Sequence, residues 1–491
     1  MELKDQLLSI SESVTHLLPE LILIASLVIT LVLGLFLKKQ KQTILHTIAL
    51  ITYLIAIVII IQTWPKQPIT LFGGMMRLDD FSAFFKLLFL GGGILTVLIS
   101  TKRKDDTAPE FILLLDAIVL GSCLLASSMN FVMVLLSLEL VSLSSYMLAG
   151  FGFDKKSSEG SMKYFLFGTV ATACMIYGMS LIYGLSGTLD FSSDQFLNAL
   201  IEVKSPLLLI ASLLTLSGFL FKISAAPFHL WAPDVYESAP TPIVAFLSVV
   251  PKLAGIAVLV KVVLAIQLFG QSGFPWQSII AVISIISILI GNLSALAQTN
   301  PKRMLAYSSV AQAGFLLIGV AVLGMEGLHF MLFYSTVFLL MNFLAFSVLH
   351  QYEGFSEINS VTAFSGLGRL SFFPAFAILI AMIALTGLPP TAGFTAKLLI
   401  FSSLWSTYQE TQSTMLLALF IIGLMNTVIS LFFYLKIPYF LFMKESVQPL
   451  GIIKNSLARN LLHGLLVITL IYLFLQPGGL MGWINRITFV L

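Results

Sequence analysis

Charge is scarce in this sequence. Only 10% of its 491 residues are Asp, Glu, Lys or Arg, against about 25% in a soluble domain. An ordinary solvated globular surface is therefore excluded. Cysteine is scarcer still: Cys123 and Cys174 are the two. Both lie in apolar segments, far apart in sequence, so they form no metal or redox motif and read as inert packing. With a net charge of +3 and no basic block, nothing points to nucleic acid. A Walker loop, a GxGxxG ahead of a helix and a haem attachment motif are all missing, which argues against covalent chemistry or cofactor binding by this chain. No stretch reads as a soluble domain, a long linker or a low-complexity region.

What remains is apolar. The chain is 58% hydrophobic with a mean hydropathy of +1.01. Runs near 20 residues, each long enough to cross about 30 Å of hydrocarbon, recur from end to end. About 14 candidate spans can be drawn by that criterion, from 17–37 to 459–476, and they include 130–151, 206–230, 241–268 and 372–404. The fold class is an all-α polytopic membrane protein. The opening MELKDQLLSISESVTH mixes acid and base and has no obvious cleavage site, so the first span is expected to stay.

Loop charges give an orientation. Loops after odd-numbered spans carry Lys38, Lys39 and Lys41; Lys102, Arg103 and Lys104; Lys155 and Lys156; Lys302 and Arg303; Arg369; and Lys444, Lys454 and Arg459. Loops after even-numbered spans carry only Lys66, Arg77 and Lys204. The positive-inside rule makes the odd loops cytoplasmic and puts both termini on the opposite side.

Two spans look broken. The seventh contains Ser224-Ala-Ala-Pro227-Phe-His229 and then Pro233; the twelfth contains Thr386-Gly-Leu-Pro389-Pro390-Thr-Ala-Gly393. Proline deletes a backbone donor and clashes with the preceding turn. Backbone opened in this way must line protein or a wet cavity. With five-span units starting at the fourth and ninth spans, each break falls on the fourth helix of its unit. Such pairing points to two inverted repeats. The divisions expected are 1–108 (three helices), 109–270 (first repeat), 271–440 (second repeat) and 441–491 (last helix).

Four charges sit where hydrocarbon is expected: Glu139, Lys222, Lys252 and Lys397. A central charge costs roughly 2.5–3.5 kcal/mol on the insertion scale, so four cost on the order of 10 kcal/mol. Ser142 and Tyr146 share the face of Glu139. Thr215, Gly218, Lys222 and His229 follow one stripe up to the break at Pro227, Lys252 follows Pro251 with Ser248 and Gly255 on its face, and Lys397 comes seven residues after Pro390. Burial disfavours the charged form of either group and a nearby opposite charge restores it. A buried lysine facing a glutamate can therefore exchange protons when separation or hydration changes, with His229 handing protons over near pH 7. The alternative is a set of static ion pairs that hold helices together. Lys163, early in the sixth span, can contact Glu139. Lys261 is expected to snorkel towards the membrane edge, and Lys86, Asp80 and Arg77 to reach the interface. His329, His350 and His463, near helix ends, read as solvated or capping, and Asp116 has no assignable role.

Around these residues the sequence resembles the antiporter-like membrane subunits of proton-pumping NADH:quinone oxidoreductase, respiratory complex I. It is most similar to the subunit N branch, called subunit 2 in mitochondria. The stretches that carry the likeness are LLPELILIASLVITLVLGL, LEL at Glu139, SMKYFLFGTVATACMIYGMSLIYGLSGTLDF, NPKRMLAYSSVAQAGFLLIG and LTGLPPTAGFTAKLLIF. The most specific is FKISAAPFHLWAPDVYESAPTPIVAFLSVVPKLA. The likeness covers nearly the whole chain. It implies a 14-helix fold with two inverted five-helix repeats, and it matches Glu139, Lys222, Lys252 and Lys397 to the family's fifth-, seventh-, eighth- and twelfth-helix proton-transfer residues. It also implies partner membrane and peripheral subunits that hold NADH, FMN, iron–sulfur clusters and the quinone, with none of these bound here. Its length suits a bacterial inner membrane, in which case both termini are periplasmic.

Two departures stand out. Gln312 occupies a place in SSVAQAG where many relatives carry histidine, so water or Lys397 would have to bridge the gap. Asp116 is an acid where an apolar residue is expected. Three other readings compete: an Mrp-type cation/proton antiporter subunit, which shares this core, a structural scaffold with static ion pairs, and the equivalent subunit of a chloroplast or mitochondrial complex.

Overall fold

The computed structural model describes residues 3–37, 41–100, 107–202, 206–267, 275–322, 324–353, 359–445 and 457–489. The loop cations Lys38, Lys39, Lys102, Arg103, Lys104, Lys204 and Lys454 lie outside the described residues, as does the division at 270–271.

Backbone groups cannot turn to water inside a bilayer, so each span must satisfy its own N–H and C=O groups as a helix. The chain follows that rule almost throughout. It begins with α1 (Leu3–Thr15), α2 (Leu18–Phe36) and α3 (Lys41–Gln62), then a small antiparallel hairpin, β1 (Ile69–Leu71) with β2 (Met76–Leu78), in which Ile69 faces Leu78. Next come α4 (Asp80–Ile99), α5 (Ala108–Ser127), α6 (Phe131–Ala149), α7 (Lys155–Ser186), α8 (Asp194–Glu202) and α9 (Pro206–Ile223). The middle holds α10 (Trp231–Ser238), α11 (Thr241–Leu247), α12 (Val250–Gln267), α13 (Trp276–Ala297), α14 (Pro301–Val322) and α15 (Met325–Glu353). The chain ends with α16 (Leu367–Leu370), α17 (Phe372–Thr386), α18 (Ala392–Thr411), α19 (Thr414–Tyr434), α20 (Lys436–Met443), α21 (Leu457–Leu475) and α22 (Gly478–Ile484).

Local signals account for many of these starts. Asp79 and Asp154 cap α4 and α7, each accepting a bond from the backbone N–H three residues on while that serine reaches back. Such a capping box satisfies two otherwise orphaned donors. The Ser157 N–H and hydroxyl hold the Asp154 carboxyl below the usual carboxylate range. Proline opens α2, α5 and α11, where its missing N–H has no helical partner to lose.

Thirteen described helices are long and apolar enough to cross a membrane. The expected twelfth span is found as two helices, α17 and α18, so a total of fourteen is reached only by joining them. The seventh span departs from expectation in extent. Its helix stops at Ile223, and residues 224–230 are non-helical. The eighth is interrupted at Ser248–Val249, between α11 and α12. The short helices α1, α8, α10, α20 and α22, and the hairpin, were not expected.

The chain divides into two compact units. One comprises Met1–Ile223, Val250–Phe274 and Ile487–Leu491. At its core α5 packs against α2, α3, α4, α6 and α12, and α9 lies against α7 and α12. The other comprises Ser224–Val249 and Pro275–Arg486. Its core is α14 and α15, packed against α13, α17 and α18.

Candidate functional site

Lys222 ends α9 and is wholly buried. An ammonium so placed needs acceptors or a counter-charge. Its Nζ donates to Ser142 Oγ at 3.2 Å. Ser142 follows Glu139 by one turn of α6, and Glu139 is the acid that acts electrostatically on Lys222. The Glu139 carboxylate in turn accepts a 2.8 Å bond from Thr172 Oγ1 of α7. Three helices thus give four polar groups to a single cluster: Glu139 and Ser142 from α6, Thr172 from α7 and Lys222 from α9. The sequence indicated Glu139, Ser142 and Lys222; Thr172 was missed because a threonine on a half-exposed helix carries no distinguishing signal.

Lys252 lies in the first turn of α12 and is 1% exposed. Gly255, one turn later, explains how its helix reaches Lys222. A Cβ at Gly255 would stand 2.8 Å from Ile223 Cγ2 and 3.4 Å from Lys222 Cβ, so only glycine lets α12 approach α9 this closely. Lys252 and Gly255 share a face, the one at which α12 meets the end of α9. Ser248, expected on that face, precedes the helix and bonds Ala245 O instead.

The second unit has its own buried lysine. Thr386 ends α17 before the break at Gly387, and a helix end leaves carbonyls without intrahelical partners. Lys397, one-and-a-half turns into α18, reaches back to them. Its Nζ donates to Thr386 O at 2.8 Å and to Leu385 O at 3.4 Å, with the Phe315 ring centroid 4.4 Å away. Gly393 allows this fold-back: a Cβ there would overlap Ala384 O at 1.9 Å.

Gln312 meets Lys397 at a shared acceptor. Its Nε2 donates to Leu385 O at 2.9 Å and to the Tyr434 hydroxyl at 3.1 Å, and its Oε1 accepts from the Tyr334 hydroxyl. Tyr434 continues to Ser308 at 2.6 Å. The place expected to need water or Lys397 as a bridge is thus filled by two tyrosine hydroxyls. Neither tyrosine was singled out from the sequence, because aromatics at helical spacing usually mark core.

The remaining residues separate. His229 is buried in the second unit, its ring 6.5 Å from Tyr307. Because α9 ends at Ile223, His229 does not continue the Lys222 stripe as a helix would. Lys163 pairs with Glu159 on its own helix at 2.9 Å, with 41% of its side chain exposed. Three expectations need correction. Lys261 does not snorkel: it is buried and pairs with Asp79 at 3.2 Å. Lys86 does not reach the interface but pairs with buried Glu20 at 2.7 Å. His463 is neither solvated nor capping; it is buried and shares a 2.7 Å bond with Ser347.

Asp116 also gains an explanation. One oxygen accepts from Tyr53 at 2.5 Å and the other from Ser26 at 2.8 Å. It ties α2, α3 and α5 together, a role that needs partners the sequence could not assign. At the start of α14, Arg303 forks between Asp234 at 2.7 Å and Glu237 at 3.0 Å.

Comparison with known proteins bears on the whole chain. Residues 128–430 match the family model described as NADH:quinone oxidoreductase/Mrp antiporter, TM. Residues 3–102 match the model of the NAD(P)H-quinone oxidoreductase subunit 2 N-terminal region. A protein named NADH-quinone oxidoreductase subunit N 2 in Chloroherpeton thalassium is 37% identical over 480 residues, covering 94% of this chain and 93% of that one. A chain of respiratory complex I from Thermus thermophilus superposes with a TM-score of 0.80 at 31% identity, covering 95% of this chain and 99% of that one. A chain of the Mrp complex from Dietzia has the same TM-score, 0.80, at 18% identity, covering 95% of this chain and 96% of that one. That last likeness is one of fold.

Proposed function

Since the chain belongs to the NADH:quinone oxidoreductase/Mrp antiporter transmembrane family, we propose that Glu139, Lys222, Lys252 and Lys397 are its proton-transfer residues. The function is that of a multi-pass membrane subunit of a proton-translocating NADH:quinone oxidoreductase, acting with the other subunits of that complex. The fold itself is shared with Mrp antiporter subunits. The 37% identity along nearly the full chain assigns it to the NADH-quinone branch. In this reading NADH, FMN, iron–sulfur clusters and quinone are held by partner subunits, and electron transfer there supplies the free energy. The chain lies in a bacterial inner membrane with both termini periplasmic, as the distribution of Lys and Arg among its loops supports.

The observation that carries the assignment of residues is the cluster of Glu139 and Ser142 on α6 with Lys222 on α9, both helices packed against α7. In a low-dielectric interior the charged and neutral forms of such a pair differ by several kcal/mol according to hydration and separation. A proton taken up by Lys222 from one side can be held against Glu139. It passes on, through Lys252 on the neighbouring face, when the pair is pulled apart. Lys397, held by the Thr386 and Leu385 carbonyls and the Phe315 ring face, does the corresponding work in the second unit. His229 and Lys163 are auxiliary donors in this scheme. The repeats are 109–270 and 271–440, flanked by 1–108 and 441–491; breaks after Ile223 and after Thr386 support that pairing.

The test is reconstitution of the whole complex with Glu139→Ala, Lys222→Ala or Lys252→Ala, measuring proton transport alongside quinone reduction. Loss of transport with assembly intact is expected. Normal transport in all three returns these residues to static ion pairs.

A further inference from the structure

Two buried ion pairs lie in the first unit apart from Glu139, Lys222 and Lys252. Lys86 of α4 meets Glu20 of α2 at 2.7 Å. Lys261 of α12 meets Asp79, the N-cap of α4, at 3.2 Å. All four side chains are at least nine-tenths buried. Asp79 and Lys86 stand two turns apart on one face of α4, and Lys86 acts electrostatically on Lys261, so the pairs form one cluster. Burying four charges is costly. A well-packed apolar replacement of such pairs is often neutral or stabilising, so stability alone does not explain them.

A cavity gives them an outlet. A small, partly open cleft of about 80 Å³ is lined by Thr15, His16 and Thr63 together with Asp79, Ser82 and Lys86. Its walls come from the start of α2, the end of α3 and the start of α4, so it opens at one end of the helix bundle. Its inner wall holds Asp79 and Lys86, one member of each ion pair. Lys261 sits behind Asp79, and among the described residues Lys261 Nζ has no hydrogen-bond partner beyond that ionic contact. On α12, Lys261 lies nine residues after Lys252, about 13 Å further along the axis and on the opposite face of the helix, towards the same end of the bundle.

We propose that Asp79 and Lys261, with Lys86 and Glu20 beside them, form a proton-access route leading from the far end of α12, beyond Lys252, to water in the cleft at His16. The step balances within the pair. A proton arriving at the cleft protonates the Asp79 carboxylate and removes the counter-charge of Lys261. The Lys261 ammonium then releases its proton inward to water on the α12 side and takes the proton from Asp79, restoring carboxylate and ammonium. Run in reverse, the same exchange delivers a proton to the cleft. Lys86 and Glu20 keep the inner wall polar and hydrated. The route rests on the relay proposed for Lys222 and Lys252, which it supplies with an opening.

The experiment uses the assembled complex in proteoliposomes with four variants: Asp79→Asn, Lys261→Met, the double variant, and Lys222→Ala as a separate arm. Asparagine still caps a helix, and the double variant leaves no unpaired buried charge. A structural pair would therefore be tolerated in the double variant. The route predicts that the double variant assembles, reduces quinone and yet moves fewer protons per quinone than the unaltered complex. Unchanged proton transport in the double variant, with transport lost in Lys222→Ala, overturns the route and leaves the relay standing. Unchanged transport in Lys222→Ala removes Lys222 from the relay and with it the premise of the route. If the double variant fails to assemble, Ala83→Cys in the cleft gives an independent readout. In a background of Cys123→Ala and Cys174→Ser, a hydrated cleft predicts reaction with a membrane-impermeant thiol reagent. Absence of labelling in intact proteoliposomes of either orientation overturns the route.

Discussion

Lys397 Nζ donates to Thr386 O at 2.8 Å across eleven residues of chain. One ammonium thereby closes the end of α17 from within α18, and a buried charge is held by backbone dipoles in place of a carboxylate. A cation at a helix C-terminus is favoured there by the partial negative charge of the exposed carbonyls. Replacing Lys397 by Met is expected to stop proton transport through the second unit. It also leaves the Thr386 carbonyl unpaired, at a cost of about 1–3 kcal/mol. Proton transport and thermal unfolding of the purified complex check the two effects separately. Transport at the native level with lowered stability would make Lys397 a cap alone.

Gln312 satisfies Leu385 O, Tyr434 and Tyr334 at once. Gln312→Leu removes every one of these bonds, and a loss of about 1–3 kcal/mol is expected for the buried groups left unpaired. Gln312→His introduces a group that titrates near neutrality. It is expected to keep transport and to add a pH dependence between about pH 6 and 7. A transport–pH profile for the two variants is the check.

Asp116 accepts from Tyr53 and Ser26, neither of which is a relay residue. Asp116→Ala is expected to lower stability by about 2–5 kcal/mol, because two buried hydroxyls lose their acceptor, while Asp116→Asn costs less. The ratio of protons moved to quinone reduced stays at the native value in both. Thermal unfolding and that ratio, measured on the same preparation, separate a structural role from a transfer role.

Gly255 sets how closely α12 approaches Lys222. Gly255→Val is expected to push α12, and Lys252 with it, away from Lys222, weakening transport although Glu139, Lys222 and Lys252 are themselves unaltered. Overpacking of this kind costs roughly 1–3 kcal/mol. Proton transport in the assembled complex should fall more than quinone reduction does.

The spans were legible because hydrocarbon imposes long apolar helices, and the two breaks because proline leaves a local mark. Glu139, Lys222, Lys252 and Lys397 were legible for the opposite reason: a charge in an apolar run has no cheap explanation. What failed was pairing across long sequence distances. Lys86 and Lys261 read as interfacial because their partners, Glu20 and Asp79, lie 66 and 182 residues away. Asp116 was opaque because its acceptor role depends on a tyrosine and a serine that look ordinary in their own helices. The end of α9 at Ile223 was also misjudged. Apolar composition continues to Leu230, and only the backbone reveals that the helix does not.

The central claim is that the buried Glu139–Lys222 cluster moves protons and is not merely held together by them. The most direct measurement is the number of protons transported per quinone reduced by proteoliposomes carrying the double variant Glu139→Gln, Lys222→Met. This pair of substitutions leaves neither charge unpartnered, so the fold is spared. A lower ratio with quinone reduction still running is the result predicted. An unchanged ratio would contradict it.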